Sequence, residues 1–176
     1  MSSGFAIWLT GLPASGKTTL ARGLADALEQ AGLPVQVLDS DHLRRVLTPD
    51  PTYSWEERDW FYRVMAFIGQ LLVQNGVNVI LAATACRRSY RGHARAAIDR
   101  FIEVYVDCPL ETCMARDEKG IYKKALQGQA TTVPGLQVPY EAPEHPEVRV
   151  DTGVRSPAEG VEVIVDRLKD LGWDLV

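Results

Sequence analysis

The stretch Gly11-Leu12-Pro13-Ala14-Ser15-Gly16-Lys17-Thr18 decides how the rest of this chain is read. It follows the apolar run 5–10 and opens the segment 17–31, where Leu20, Leu24, Ala27 and Leu28 recur at helical spacing before Gly32. A Gly-x-x-x-x-Gly-Lys-Thr turn between a strand and a helix is the pattern of a nucleotide phosphate cradle. Gly11 and Gly16 permit the tight turn and aim backbone N–H groups inward. The helix N-terminus adds partial positive charge. Lys17 is expected to reach the β- and γ-phosphates of ATP and the Thr18 hydroxyl to hold Mg²⁺, with Pro13, Ala14, Ser15 and Thr19 completing the ATP-binding loop. A chance glycine turn with a solvated lysine does not account for the strand and helix on either side.

Outward from this loop, four more apolar runs at 35–39, 77–83, 101–107 and 148–151 alternate with helical patterns. That alternation predicts an α/β fold with a mostly parallel sheet. The near-continuous hydrophobicity of the runs predicts strands buried on both faces. Further helices are expected over 55–75, 87–100 and 156–171. Ser54 and Glu57 are spaced as a capping box, and Pro157 stands at a first helical position. No repeat or linker divides the 176 residues, so one domain spanning 1–176 is expected.

The net charge of −4 argues against nucleic-acid binding but leaves room for a local basic pocket. No apolar run approaches the roughly 20 residues that span a bilayer, and the first residues lack a signal-peptide pattern. Cys86, Cys108 and Cys113 have no metal-ligand spacing and read as reduced thiols, which points to the cytoplasm.

The receiving side of the reaction is expected at the ends of the other strands. The second run ends in Leu38-Asp39-Ser40-Asp41-His42-Leu43-Arg44. Its two carboxylates suit Mg²⁺ water-shell binding or orientation of an acceptor hydroxyl. One of the two is expected to cap the following short helix, and Asp39 is the one assigned to chemistry. Arg44, Arg45, Arg58, Arg63, Arg87, Arg88 and Arg91 accumulate on the same side, as an anionic substrate requires, although solvated helix faces account for part of the set. His42 and His93 read as surface residues. The run Arg116–Lys124 is either a phosphate-covering lid or a solvated charge run. Gln127–Pro146 holds four of the ten prolines, at 134, 139, 143 and 146, and reads as a loop closing over ligand.

Taken together, the cradle, Leu38–Asp41 with Arg44, Phe101–Asp107, Lys119-Gly120-Ile121-Tyr122-Lys123-Lys124-Ala125 and Pro139-Tyr140-Glu141-Ala142-Pro143 resemble the adenylylsulfate kinases from Trp8 to about Leu168. The resemblance implies a P-loop NTPase three-layer fold: a five-stranded parallel sheet of order 2-3-1-4-5 with helices on both faces and a lid segment near 116–146. It implies MgATP as donor, the ribose 3′-hydroxyl of adenosine 5′-phosphosulfate as acceptor, a place in sulfate assimilation, and a homodimer. By position, Lys17, Asp39 and Asp41 match catalytic residues. Arg44 and Arg58 match the arginines on the phosphosulfate, Tyr53 an aromatic stacked on the substrate adenine, and Lys123 the lid lysine, while Cys86 and Leu136 complete the substrate side. Arg116 and the turn after Thr152 are expected near the adenine of ATP, by analogy of fold.

The chain departs from the family pattern on the acceptor side. Ser40 replaces a glycine, Phe61 an asparagine, Ala85-Cys86-Arg87 an Ile-Ser-Pro, and Val133 a second stacking phenylalanine. Two other readings therefore stand beside the first: a kinase for a different small anionic hydroxyl compound, and a non-catalytic nucleotide-binding module.

Overall fold

The computed structural model describes residues 4–173. The apolar runs form five parallel strands: β1 (Ala6–Thr10), β2 (Val35–Asp39), β3 (Asn78–Ala82), β4 (Phe101–Asp107) and β5 (Val148–Asp151). They lie in the order β2-β3-β1-β4-β5, which is the order the resemblance implied. β1 occupies the centre, with Ala6 beside Val79 of β3 on one side and Phe101 of β4 on the other. Every β1 side chain is buried.

The connecting helices are α1 (Lys17–Gln30), α2 (Ser40–Leu47), α3 (Trp55–Gln74), α4 (Arg88–Ala97), α5 (Leu110–Ala115), α6 (Ile121–Leu126) and α7 (Pro157–Asp170). One core layer joins Ile7, Leu9, Ile80 and Val104 to Leu20, Leu24 and Leu28 of α1 and Ile164 and Leu168 of α7. The opposite layer joins Trp8, Val79 and Leu81 to Phe61, Tyr62 and Met65 of α3 and Tyr90 and Ala94 of α4. Each fully buried Leu, Ile or Phe contributes about 1.5–3 kcal/mol by leaving water. The two layers hold β1 rigid, so the loop leaving its C-terminal end starts from a fixed point.

Three expectations need correction. Burial on both faces holds for β1, β3 and β4, but β5 alternates buried and exposed residues, and β2 buries only Leu38. Both are edge strands, a position that local hydrophobicity does not encode. The fourth helix ends at Ala97 rather than at 100: Ile98 turns extended (φ −127°, ψ 112°) and drops into the core to lead into β4. The Ser54–Glu57 capping box is only half made. Ser54 Oγ accepts from Glu57 N–H at 3.1 Å, but the Glu57 carboxylate is engaged by Thr52, Tyr53 and Arg44. The complete box is at α7, where Ser156 and Glu159 bond reciprocally.

Among the described residues, no helix is long and apolar enough to cross a membrane. Cys86, Cys108 and Cys113 are unbridged and buried.

Candidate active site

The loop after β1 forms the floor of the site. Ala14 and Gly16 both adopt positive φ, at 61° and 99°, which turns successive N–H groups toward one point. Gly11 has no space for a side chain, since a Cβ would lie 2.3 Å from the Val106 carbonyl oxygen and 2.8 Å from Ser15 Oγ. Ser15 is buried, and its hydroxyl is without a hydrogen-bond partner among the described residues. The converging N–H groups of this turn, at the N-terminus of α1, fit a phosphate. The loop is held from outside by Tyr122, which donates to the Pro13 carbonyl at 2.8 Å, and by Thr152, which donates to that of Ser15 at 2.7 Å.

Lys17 Nζ donates to the carbonyls of Gly11 at 3.0 Å and Leu12 at 2.7 Å. Burial depresses its pKa from the ordinary 10.5 to about 8, with Asp41 acting in the opposite direction. Thr18 Oγ1 donates to Asp39 Oδ2 at 2.8 Å, and Asp39 Oδ1 accepts from Asp41 N–H at 2.9 Å. Asp39 is therefore both the N-cap of α2 and the carboxylate facing the cradle. The expectation that one aspartate caps while the other is free for chemistry fails, because a single carboxylate has an oxygen for each task. Asp41 instead pairs with Lys119. A hydroxyl and two carboxylates at this point are hard oxygen donors that suit Mg²⁺, which keeps most of its remaining ligands as water and phosphate.

One cavity of about 590 Å³ joins these groups to the acceptor side. Pro13, Ala14, Gly16, Lys17, Thr18 and Thr19 line it at one end, with Arg116, whose guanidinium donates to the Thr152 carbonyl at 2.7 Å. Asp39, Asp41, Arg44, Tyr53, Arg58 and Cys86 line the remainder, with Val133. Arg44 and Arg58 are 8% and 5% exposed, so their charges act in a partly desolvated setting. Arg58 donates to the Thr132 carbonyl at 2.7 Å, and its other terminal nitrogen lies 3.9 Å from Cys86 Sγ. Burial pushes the Cys86 thiol up, against the pull of Arg58.

Four residues expected at the site lie off the cavity lining, of which Gly11 and Ser15 are buried within the loop. Lys123 is exposed, with its N–H bonded to Asp117, and Leu136 is half-buried against the apolar cluster of Tyr122, Ala125 and Val133. Helix α6 turns Lys124 toward the cavity in place of Lys123, and Lys119 lines it too. Sequence reasoning missed Lys119 and Thr132 as site residues. Lys119 belongs to the quoted Lys119–Ala125 run, but only the fold brings it to Asp41. Thr132 sits in the proline-rich loop with no local signal.

The arginine excess divides by environment. Arg91 is buried and bonded to Glu103, the Ala85 carbonyl and, at 2.7 Å, the Glu141 carbonyl. Arg87 stacks on Trp55 at 3.9 Å, Arg88 pairs with Glu144, and Arg45 and Arg63 are exposed. The proline-rich region likewise divides. Ala130, Thr132, Val133 and Pro134 face the cavity, whereas Pro139–Pro143 is anchored against the start of α4 through Glu141. His42 and His93 are exposed, as expected.

Comparison with known proteins agrees with this geometry. A family model described as adenylylsulphate kinase matches residues 3–151. A probable adenylyl-sulfate kinase of Pyrococcus abyssi is 42% identical over 170 residues, covering 97% of this chain and 98% of its own length. The adenylyl-sulfate kinase of Synechococcus sp. strain JA-3-3Ab is 41% identical, covering 97% of both. Among solved structures, the Mycobacterium tuberculosis APS kinase CysC in complex with AMPPNP and APS superposes with a TM-score of 0.90 at 33% identity, over 96% of this chain and 99% of that one.

Proposed function

We infer that this chain, which belongs to the adenylylsulphate kinase family, transfers the γ-phosphoryl group of ATP to the 3′-hydroxyl of adenosine 5′-phosphosulfate. The observation that carries this reading is the shared cavity: the cradle of Lys17 and Thr18 opens onto Asp39, Arg44, Tyr53 and Arg58 with no wall between them. The departures at Phe61, Cys86 and Val133 leave those four residues in place, so they give a different acceptor no specific support.

In the proposed reaction the 3′-oxygen forms a bond to the γ-phosphorus while the bond to the β,γ-bridging oxygen breaks, releasing ADP. Asp39 Oδ2 orients the 3′-hydroxyl and takes its proton. The contact between Asp39 and Thr18 must therefore be exchanged as the substrates arrive. Lys17 leaves the Gly11 and Leu12 carbonyls for the phosphate oxygens. Mg²⁺, when bound by the Thr18 hydroxyl and phosphate oxygens, neutralises charge on the transferring group. Arg44 and Arg58 hold the phosphosulfate, Tyr53 stacks on the adenine of the acceptor, and Arg116 lies beside the adenine of ATP. Most of the rate comes from positioning and charge neutralisation. Lys119 and Lys124 act from the lid segment 116–146, which excludes water from the transfer. A homodimer and a cytoplasmic location belong to the same reading, the latter supported by three unbridged cysteines.

The test is ADP release coupled to adenosine 5′-phosphosulfate. Saturating acceptor is expected to raise the rate far above background ATP hydrolysis, and Asp39→Asn to lower kcat by about 10²–10⁴-fold. No acceleration, or a faster reaction with a non-sulfated acceptor, would overturn the assignment.

A further inference from the structure

Two features of the acceptor side require a cause. Tyr53 adopts φ +55°, a left-handed conformation that a bulky side chain keeps only where its surroundings enforce it. Arg44 holds its guanidinium 3.9 Å from the centre of the Phe61 ring, with the Tyr53 ring at 4.8 Å. One carboxylate reaches both residues. Glu57, in the first turn of α3, accepts through Oε1 from Arg44 Nη1 at 2.9 Å and from Tyr53 N–H at 3.3 Å. Through Oε2 it accepts from the Thr52 N–H at 2.6 Å and hydroxyl at 2.7 Å. The Glu57 and Arg44 side chains are 14% and 9% exposed, so this is a shielded, charge-assisted pair. Burial pushes the Glu57 carboxyl up, but the hydrogen bonds from Thr52 and Tyr53 outweigh it and hold the group below its ordinary value.

We propose that Glu57 is the positioning residue of the acceptor pocket, fixing Arg44 and Tyr53 as one unit on the Phe61 ring. The proposal rests on the acceptor reading of this cavity. Glu57 is not among the residues lining it and acts through the two that are. Its role is more than helix capping, because Ser54 Oγ already caps α3 and the Glu57 carboxylate is spent elsewhere. The substitution at Val133 explains why the device matters here. Val133 offers the cavity no ring, and of the two tyrosines that line it Tyr62 is 7% exposed against 42% for Tyr53, so Tyr53 is the aromatic surface open to the acceptor base. A ring already held in place loses less freedom on binding. Arg44, flattened on Phe61 and pinned by Glu57, similarly presents its free N–H edge in one plane. Phe61 cannot hydrogen-bond to substrate as an asparagine could, and its contribution passes through Arg44.

The experiment compares steady-state kinetics of the wild type and Glu57→Gln, with thermal unfolding as a check on folding. The amide keeps the size of the side chain but not the charge or the full set of acceptor sites. The KM for adenosine 5′-phosphosulfate is expected to rise about 10- to 100-fold, the effect of one charge-assisted hydrogen bond, while the KM for ATP stays within about twofold. Arg44→Lys combined with Glu57→Gln is expected to cost no more than the worse single change, since both remove the same contact. Should Glu57→Gln not fold, Glu57→Asp keeps the charge without the reach to both partners, and the same KM should rise several-fold. An unchanged acceptor KM in the folded variant, or equal rises for both substrates, would overturn the proposal. Failure of the wild type itself to use the acceptor overturns both readings, whereas a normal wild type with an unaffected variant overturns this one alone.

Discussion

Raising the pH through about 8 is predicted to weaken ATP binding while the protein gains stability from the same residue, Lys17. Burial brings its pKa from 10.5 to about 8, partly opposed by Asp41 and, more weakly, by Cys113 and Asp39, while Lys119 adds to the depression. One pH unit above that value, roughly nine-tenths of the molecules carry a neutral amine. ATP selects the ammonium form, so its Kd should rise about tenfold per pH unit until the higher pKa of the bound state is reached. Binding at about pH 9 should accordingly take up about 0.9 of a proton, and at about pH 7 about 0.1. Calorimetric titration in two buffers of different ionisation enthalpy measures this uptake directly. The folded chain holds fewer protons on Lys17 than the unfolded chain between about 8 and 10.5, so this group makes unfolding harder as pH rises across that window. Lys17→Arg, which does not titrate, should abolish both trends. A flat affinity from about pH 7.5 to 9.5 with no proton uptake would refute the reasoning.

Three further predictions concern the scaffold. Gly11→Ala drives a Cβ to 2.3 Å from the Val106 carbonyl oxygen, and backbone cannot yield as a side chain can. It should remove most ATP binding and destabilise the fold by over about 2 kcal/mol in denaturant titration, whereas Gly92→Ala inside α4, with nothing within 4 Å, should gain about 0.5–1 kcal/mol. Ser156→Ala breaks the capping box of α7 and should cost about 1 kcal/mol of stability while leaving kcat/KM for both substrates unchanged.

The donor half of the site was legible because its parts are contiguous. Strand, glycine turn, lysine and helix run from 6 to 30 without interruption, and each obeys a local rule. The acceptor half draws on α2, the loop before α3, the end of β3 and the loop around Thr132, so its geometry depends on tertiary placement. Lys123 illustrates the difference. A helix starting at Ile121 after the left-handed Gly120 turns adjacent residues by about 100°, which sends Lys123 outward and Lys124 inward. Arg91 illustrates it again: a buried partner, Glu103, and the loop carbonyls of Ala85 and Glu141 use up a charge that the count assigned to an anion.

The Ser54–Glu57 spacing obeys the capping-box rule, yet the Glu57 carboxylate is claimed by Arg44 of α2 and by Thr52 and Tyr53 of the loop before α3. Local rules name the acceptors and donors a residue can use. Competition among neighbours decides which it does use, and at Glu57 that competition is won by Thr52, Tyr53 and Arg44. Asp39 carries the point furthest. Capping α2 and serving the reaction looked like alternatives only while the carboxylate was treated as one acceptor. With Oδ1 held by the Asp41 N–H, the cap fixes the direction in which Oδ2 points. In the proposed reaction the structural bond is thereby what aims the chemical one, and a residue used for both is placed more rigidly than one used for either alone.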